Sequence, residues 1–142
     1  MHAYKWEKEK YNDIIVYDCS NGKILHKWSH CDTSGYYGSR MAVKDGSLIV
    51  VDVTSNRLTI YNLTGKLIRH LGCHLIKLSW VCVSLHPSNP NVIIVCDHDY
   101  SRVFAVNLTT GAVLWSNRGI NKPQGIVSYG SEHVLVTKQG YQ

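Results

Sequence analysis

The sequence has no long apolar run, no stretch of helical periodicity and no paired cysteine motif, and these absences exclude several classes of protein. No apolar run approaches the roughly 18 residues that a membrane-spanning helix needs. Residues 1–10 lack the apolar core of a signal peptide. The 5 cysteines are irregularly spaced and contain no CxxC motif, so they do not describe a disulfide framework. We therefore expect the protein to be located in a reducing compartment, the cytoplasm, and not to bind a membrane.

Signatures of catalysis are missing as well. The sequence has no nucleophile elbow, no phosphate-binding glycine loop and no zinc-hydrolase helix, so we expect no enzyme activity and no cofactor. A net charge of +5 with an isoelectric point near 9.0 attracts polyanions only weakly. Two glycosylation sequons, at 62–64 and 107–109, point weakly towards secretion, but both occupy one position of an internal repeat and are explained as turns.

That repeat is the most informative feature of the chain. Gly22, Gly65 and Gly111 close similar phrases of the sequence at intervals of 43 and 46 residues. Each unit contains short apolar runs of period two, separated by Gly, Asn, Asp and Ser, which predicts four strands per unit and no helix. The run at 92–95 is continuously apolar, which predicts a strand buried on both faces. Four strands in about 45 residues are the signature of a β-propeller blade.

The positions at which the repeat starts and ends predict how the chain is divided into blades. We predict an all-β fold, a partial β-propeller of about three four-stranded antiparallel blades. Its segments are an N-terminal remnant or extra strand at 1–12, half a blade at 13–34, whole blades at 35–78 and 79–122, and half a blade at 123–142. Closed propellers need roughly four to eight blades. We therefore expect the remaining blades to come from the same longer chain, and the alternatives are an oligomer or an incomplete gene product.

At these residues the sequence resembles the NHL-repeat family, whose unit runs Pro-x-Gly-Ile/Val, Gly-x-Ile-x-Val-x-Asp, Asn-Arg and a closing Gly. Residues 123–126 match the opening phrase, and residues 45–52 with 56–57 match the rest, although Lys138 stands where the last unit should have Asp. Residues 107–115 also look like a quinoprotein-type propeller repeat. NHL propellers often terminate multidomain proteins of the tripartite-motif type and select a protein or RNA target. The resemblance therefore implies an interaction scaffold.

One polar pair recurs at the turn between the second and third strands of each whole unit. The pairs are Asp52 with Arg57 and Asp97 with Arg102. A carboxylate five residues from an arginine across a hairpin can form a charge-assisted hydrogen bond that fixes the turn. We predict a structural role, because catalytic groups rarely recur at every repeat.

The connections that lead into successive first strands combine aromatic and basic residues. In a propeller these connections should share one face of the ring. The candidate binding residues are Tyr36, Tyr37, Arg40, Lys77, Trp80, Arg118 and Lys122, with Lys44 near the first group. Tyr and Arg are enriched at protein interfaces, and aromatic rings can also stack on single-stranded bases. We predict that these residues bind a protein partner, and RNA binding is the alternative. The third interpretation is that they are solvent-exposed loop residues with no binding role.

Two clusters hold residue types that bind zinc, namely His26/His30/Cys31 and His70/Cys73/His74. A closed structural zinc site needs four ligands, and neither cluster supplies them. We interpret these residues, and the turn residues His98 and Asp99, as polar loop residues and predict no metal. The remaining alternative is a fragment of a metal-dependent propeller lyase or hydrolase, whose inward-facing ligands would come from further blades.

Overall fold

The computed structural model describes residues 12–30, 40–53, 55–72 and 80–140, and every regular element in these ranges is a β-strand. The strands are β1 (Asn12–Tyr17), β2 (Ile24–His30), β3 (Met41–Lys44), β4 (Ser47–Asp52), β5 (Arg57–Asn62), β6 (Leu67–Gly72), β7 (Val81–Leu85), β8 (Val92–Asp97), β9 (Arg102–Asn107), β10 (Val113–Asn117), β11 (Pro123–Tyr129) and β12 (His133–Lys138). Within the same ranges no helix suited to crossing a membrane is found.

The strands form four antiparallel sheets in chain order. Two sheets have four strands, β3-β4-β5-β6 and β7-β8-β9-β10, and two have two strands, β1-β2 and β11-β12. We call the four-stranded sheets blade 2 and blade 3, and the two-stranded sheets half blade 1 and half blade 4. The prediction of an all-β partial propeller with half, two whole and half blades is therefore confirmed.

Repeated turns explain the glycines that revealed the period. The side chains of Asp18, Asn62 and Asn107 each accept a hydrogen bond from the backbone N–H two residues later, at 2.8, 3.0 and 2.8 Å. Each of these turns is closed by a glycine in the left-handed region of backbone space, with φ of 72°, 93° and 75° for Gly22, Gly65 and Gly111. The turn interpretation of the two sequons agrees with this geometry.

The main hydrophobic core lies between blade 2 and blade 3. Its buried residues are Ile49, Val51, Leu58 and Ile60 from blade 2 and Val81, Val83, Ile93, Val95, Phe104, Val106 and Leu108 from blade 3. The opposite face of blade 3 packs against Ile126, Val134 and Val136 of half blade 4. Every residue of β8 is buried, as its apolar run predicted, because sheets cover it on both sides.

Candidate functional site

One edge of the sheets carries both the β4–β5 and β8–β9 turns and the residues that lead into each first strand. We call this edge the loop face. Two hydrogen bonds hold its parts together in blade 3: His98 N–H donates to the carbonyl oxygen of Trp80 at 2.8 Å, and Lys122 N–H donates to the side-chain Oγ of Ser101 at 3.2 Å. The loop face is therefore a continuous surface built on rigid strand ends.

Asp97 and Arg102 form the best-defined polar pair on this face. Arg102 donates from Nη2 at 2.9 Å and from Nε at 3.3 Å to Asp97 Oδ2. The other carboxylate oxygen accepts the backbone N–H of Tyr100 at 3.4 Å, so the aspartate also closes the turn. The guanidinium carbon lies 4.9 Å from the centroid of the Phe104 ring and 5.3 Å from that of Tyr100. The pair is thus held by charge, hydrogen bonds and ring contacts together.

Asp52 and Arg57 repeat this arrangement in blade 2, in a less buried form. Arg57 Nε donates to Asp52 Oδ2 at 3.1 Å, and Asp52 Oδ1 accepts the backbone N–H of Ser55 at 3.1 Å. Asn56 has a φ of 49°, the value that Ser101 has in the blade 3 turn. Both pairs have the geometry of an ion pair that stabilises a turn. Both carboxylates already accept hydrogen bonds within that turn.

Trp80 and His98 form a stacked pair beside the Asp97 turn. Their ring centroids are 4.4 Å apart with an interplanar angle of 28°. His98 is buried, and its Nδ1 lies 2.8 Å from Asp99 Oδ1. The turn interpretation of His98 omitted this stacking, because the partner ring precedes it by 18 residues in the sequence. One face of the Trp80 ring is therefore occupied by the imidazole.

The remaining candidate binding residues fall into two groups. Arg118 and Lys122 are exposed on the connection between β10 and β11, and Arg40 is half-buried immediately before β3. Tyr36, Tyr37 and Lys77 lie outside the described residues. Arg40, Trp80, Arg118 and Lys122 share the loop face, as the sequence predicted.

Lys44 does not belong to this surface, contrary to our expectation. It ends the four-residue strand β3, so it lies on the opposite edge of the sheet from Arg40. There Lys44 Nζ donates to Asn91 Oδ1 at 2.9 Å, and Arg69 Nη2 donates to the carbonyl oxygen of Leu108 at 2.6 Å. These contacts line a groove of about 250 Å³ between blades 2 and 3. The groove was missed because it joins residues of two repeats.

Three histidines of the proposed zinc clusters are strand residues and not loop residues, which corrects their assignment. His26 and His30 lie in β2 and His70 in β6, so all three belong to the outer strands of their sheets and not to the connections between blades. His30 Nδ1 is 2.8 Å from Tyr61 Oη, and His70 Nδ1 is 3.2 Å from Thr59 Oγ1. The described part of the chain contains no group of three potential metal ligands. Cys31, Cys73 and His74 lie outside it.

These sheets, stacked side by side around packed cores, define the chain as part of a β-propeller. Solved structures of the same fold include BamB from Moraxella catarrhalis, a β-propeller protein, at a TM-score of 0.53 and 16% identity over 87% of this chain. A protein from Bacteroides fragilis, described as exported, has a TM-score of 0.54 and 13% identity over 89% of this chain. The chain spans only 35% and 34% of those two structures. No protein-family model and no curated protein sequence matches the chain.

Proposed function

We propose that the protein is a non-catalytic scaffold that binds a protein partner through the loop face. The observation that carries the proposal is the combination of exposed Arg118, Lys122 and Lys138 with half-exposed aromatic rings on one edge of the stacked sheets. The buried carboxylates of that edge, Asp52 and Asp97, are already engaged by arginines, and Asp99 Oδ1 lies 2.8 Å from His98 Nδ1. The described surface therefore offers positive charge to a ligand, which favours an acidic segment of a partner protein.

The strands below the loop face make it a preorganised surface. The turns are braced by buried ion pairs, and the β-strands that lead into them are covered on both faces. Binding residues held by such a frame lose little conformational entropy when a ligand docks. A rigid frame with exposed loops is suited to binding a partner protein without catalysing a reaction.

A protein ligand suits the described residues better than RNA. Single-stranded RNA is held by several aromatic rings that stack on successive bases inside a strongly basic groove. On the loop face the Trp80 ring is stacked on His98, and Tyr100 is the neighbouring ring with an exposed part. The net charge of +5 is modest for a nucleic-acid site. We further propose that the blades are of the NHL type and that the protein works in the cytoplasm, supported by the repeat phrases and, among the described residues, by the free thiols of Cys19, Cys82 and Cys96.

Charge reversal on each edge of the sheets tests the proposal. The Arg118→Glu/Lys122→Glu variant changes the loop face, and the Lys23→Glu/Lys66→Glu variant makes the same change in charge at exposed positions on the opposite edge. Affinity capture from a cell extract, read by quantitative mass spectrometry, should lose a set of proteins with the first variant and retain it with the second. Both captures are repeated after ribonuclease treatment.

Three results would count against the proposal. Equal capture by both variants would remove the loop face as the binding surface. Loss of the captured set after ribonuclease treatment, together with RNA affinity that falls steeply with salt, would replace the protein partner with RNA. A stoichiometric metal ion in the purified chain would revive the lyase or hydrolase alternative.

A further inference from the structure

We propose that the groove between blades 2 and 3 is a binding site for a small carboxylic acid with an apolar body, held as its carboxylate. The groove lies on the edge of the sheets opposite the loop face and has a volume of about 250 Å³. Both of its walls are four-stranded sheets. This site is separate from the loop face and does not depend on the ligand proposed there.

The strand register of blade 2 builds one wall of the groove. Ile49 pairs with Ile60, and Ile60 pairs with Arg69, so these three side chains share the face that packs towards blade 3. Ser47 precedes Ile49 by two residues and pairs with Lys44, which places both on that same face. Two cationic side chains therefore flank a floor of isoleucines.

Two turns of blade 3 form the other wall and hold both cations in place. Leu108 donates its N–H to the carbonyl oxygen of Asn91 at 2.7 Å, which joins the two turns. From blade 2, Arg69 Nη2 donates to the carbonyl oxygen of Leu108 at 2.6 Å, and Lys44 Nζ donates to Asn91 Oδ1 at 2.9 Å. Because these bonds cross between the blades, a ligand would meet cationic groups that are already ordered.

The environment of Lys44 favours an anion in the groove. Its side chain is only 19% exposed, and its ammonium group has three N–H donors, of which one is directed at the neutral amide of Asn91. The carboxylate of Asp45 is 4.0 Å away, beyond hydrogen-bond distance, and is itself 84% exposed. A largely desolvated charge is stabilised when an opposite charge lies within hydrogen-bond reach. The guanidinium of Arg69 lines the same groove.

The sum of the charges selects a carboxylate over a phosphate ester. Among the described residues, the charged groups that line the groove are those of Lys44, Arg69 and Asp45, which leave one net positive charge. A carboxylate balances this charge and accepts charge-assisted hydrogen bonds from both cations. A phosphate monoester carries a charge of about −1.5 to −2 at pH 7, so it would place excess negative charge beside Asp45.

The size and lining of the groove define the body of the ligand. An apolar cavity of about 150 Å³ can bind benzene, so a groove of about 250 Å³ has room for a ring of that size and a carboxylate. Ile49, Ile60 and Leu108 give it an apolar floor, and Ile68 lines it with 53% of its surface exposed. A bound ring would remove part of the Ile68 side chain from water. Phenylacetate is a simple acid with these properties.

Titration of the 142-residue chain with phenylacetate, followed by isoleucine methyl NMR, tests the site. We expect saturable shifts of the Ile60 and Ile68 methyl signals, with little change at Ile94 and Ile126 on the far side of blade 3. Phenylacetamide has the same shape without the charge. It should bind at least about tenfold more weakly, because it cannot form charge-assisted hydrogen bonds with the two cations.

Matched variants assign the binding to the groove. Arg69→Met and Lys44→Met each remove one cation and should weaken phenylacetate binding by at least about tenfold. Lys66→Met removes the same charge at an exposed turn position on the same edge, outside the groove, and should bind like the wild type. Ser47→Leu keeps every charge but fills space in the groove, so it should abolish binding. Unchanged Ile94 methyl signals show that each variant is folded.

Four results would overturn the proposal. The first is the absence of saturable shifts with phenylacetate up to its solubility limit. The second is equal affinity for phenylacetamide, which would remove the role of the carboxylate. The third is equal weakening by Lys66→Met and Arg69→Met, which would show an unspecific charge effect. The fourth is binding of a short acidic peptide at the groove without binding of phenylacetate, which would replace the small acid with a protein ligand.

Discussion

Removing the arginine of the buried turn pair should cost far more stability in blade 3 than in blade 2. The side chain of Arg102 is 4% exposed and that of Arg57 is 35% exposed, whereas both partner aspartates are fully buried. We consider the matched variants Arg102→Met and Arg57→Met, which retain the apolar length of the side chain and remove its charge. The comparison isolates the effect of burial on one recurring pair.

The magnitude follows from the environment of each carboxylate. Removing one partner of a buried ion pair typically costs about 3–5 kcal/mol, because the remaining charge stays desolvated. Arg102→Met also removes two hydrogen bonds and the contacts with the Tyr100 and Phe104 rings. Arg57 is reached by solvent, so water can replace its hydrogen bond, and we expect a loss of about 1 kcal/mol.

Equilibrium unfolding in urea, followed by tryptophan fluorescence, measures both values. We expect the Arg102→Met variant to lower the midpoint strongly without a change of slope, and the Arg57→Met variant to lower it slightly. Equal losses in the two variants, or a loss below about 1 kcal/mol for Arg102→Met, would refute the reasoning from burial.

Two further predictions concern a glycine and a cysteine. Gly65→Ala should destabilise the chain by more than the roughly 1 kcal/mol expected for Gly22→Ala. Both glycines have a left-handed φ, but a Cβ at Gly65 would lie 2.7 Å from a ring carbon of Trp28, whereas Gly22 faces open space. Equal urea midpoints for the two variants would contradict this expectation. Burial raises the pKa of the Cys96 thiol to about 12. Iodoacetamide at pH 8 should therefore alkylate exposed Cys19 well before Cys96, as measured by peptide mass spectrometry. Equal alkylation rates of the two thiols in the folded chain would contradict the buried environment of Cys96.

Much of the fold could be predicted because local chemistry repeats along the chain. The glycines that close the turns need a left-handed backbone, so they mark one position of each unit. The apolar run at 92–95 needed cover on both faces, and the stacked sheets supply it. The repeat period and the turn residues in the sequence therefore predict the same fold that the stacked sheets show.

The candidate site was less predictable, because it depends on strand ends and on contacts between repeats. Lys44 is close to Arg40 in sequence, but a four-residue strand separates them across the sheet. The stack of Trp80 on His98 joins residues that flank different strands, β7 and β8, and the Lys44–Asn91 bond joins different blades. A period of 45 residues says where equivalent positions lie, but it does not say which side chains meet.

The stacking of blade 2 on blade 3 is the claim on which the account depends, and methyl-resolved NMR tests it most directly. We expect nuclear Overhauser effects between methyl groups of Ile49, Val51 or Ile60 and those of Val83 or Val106, since all belong to one buried cluster. Such effects confined to pairs within each four-stranded sheet, with none between the two sheets, would contradict the propeller.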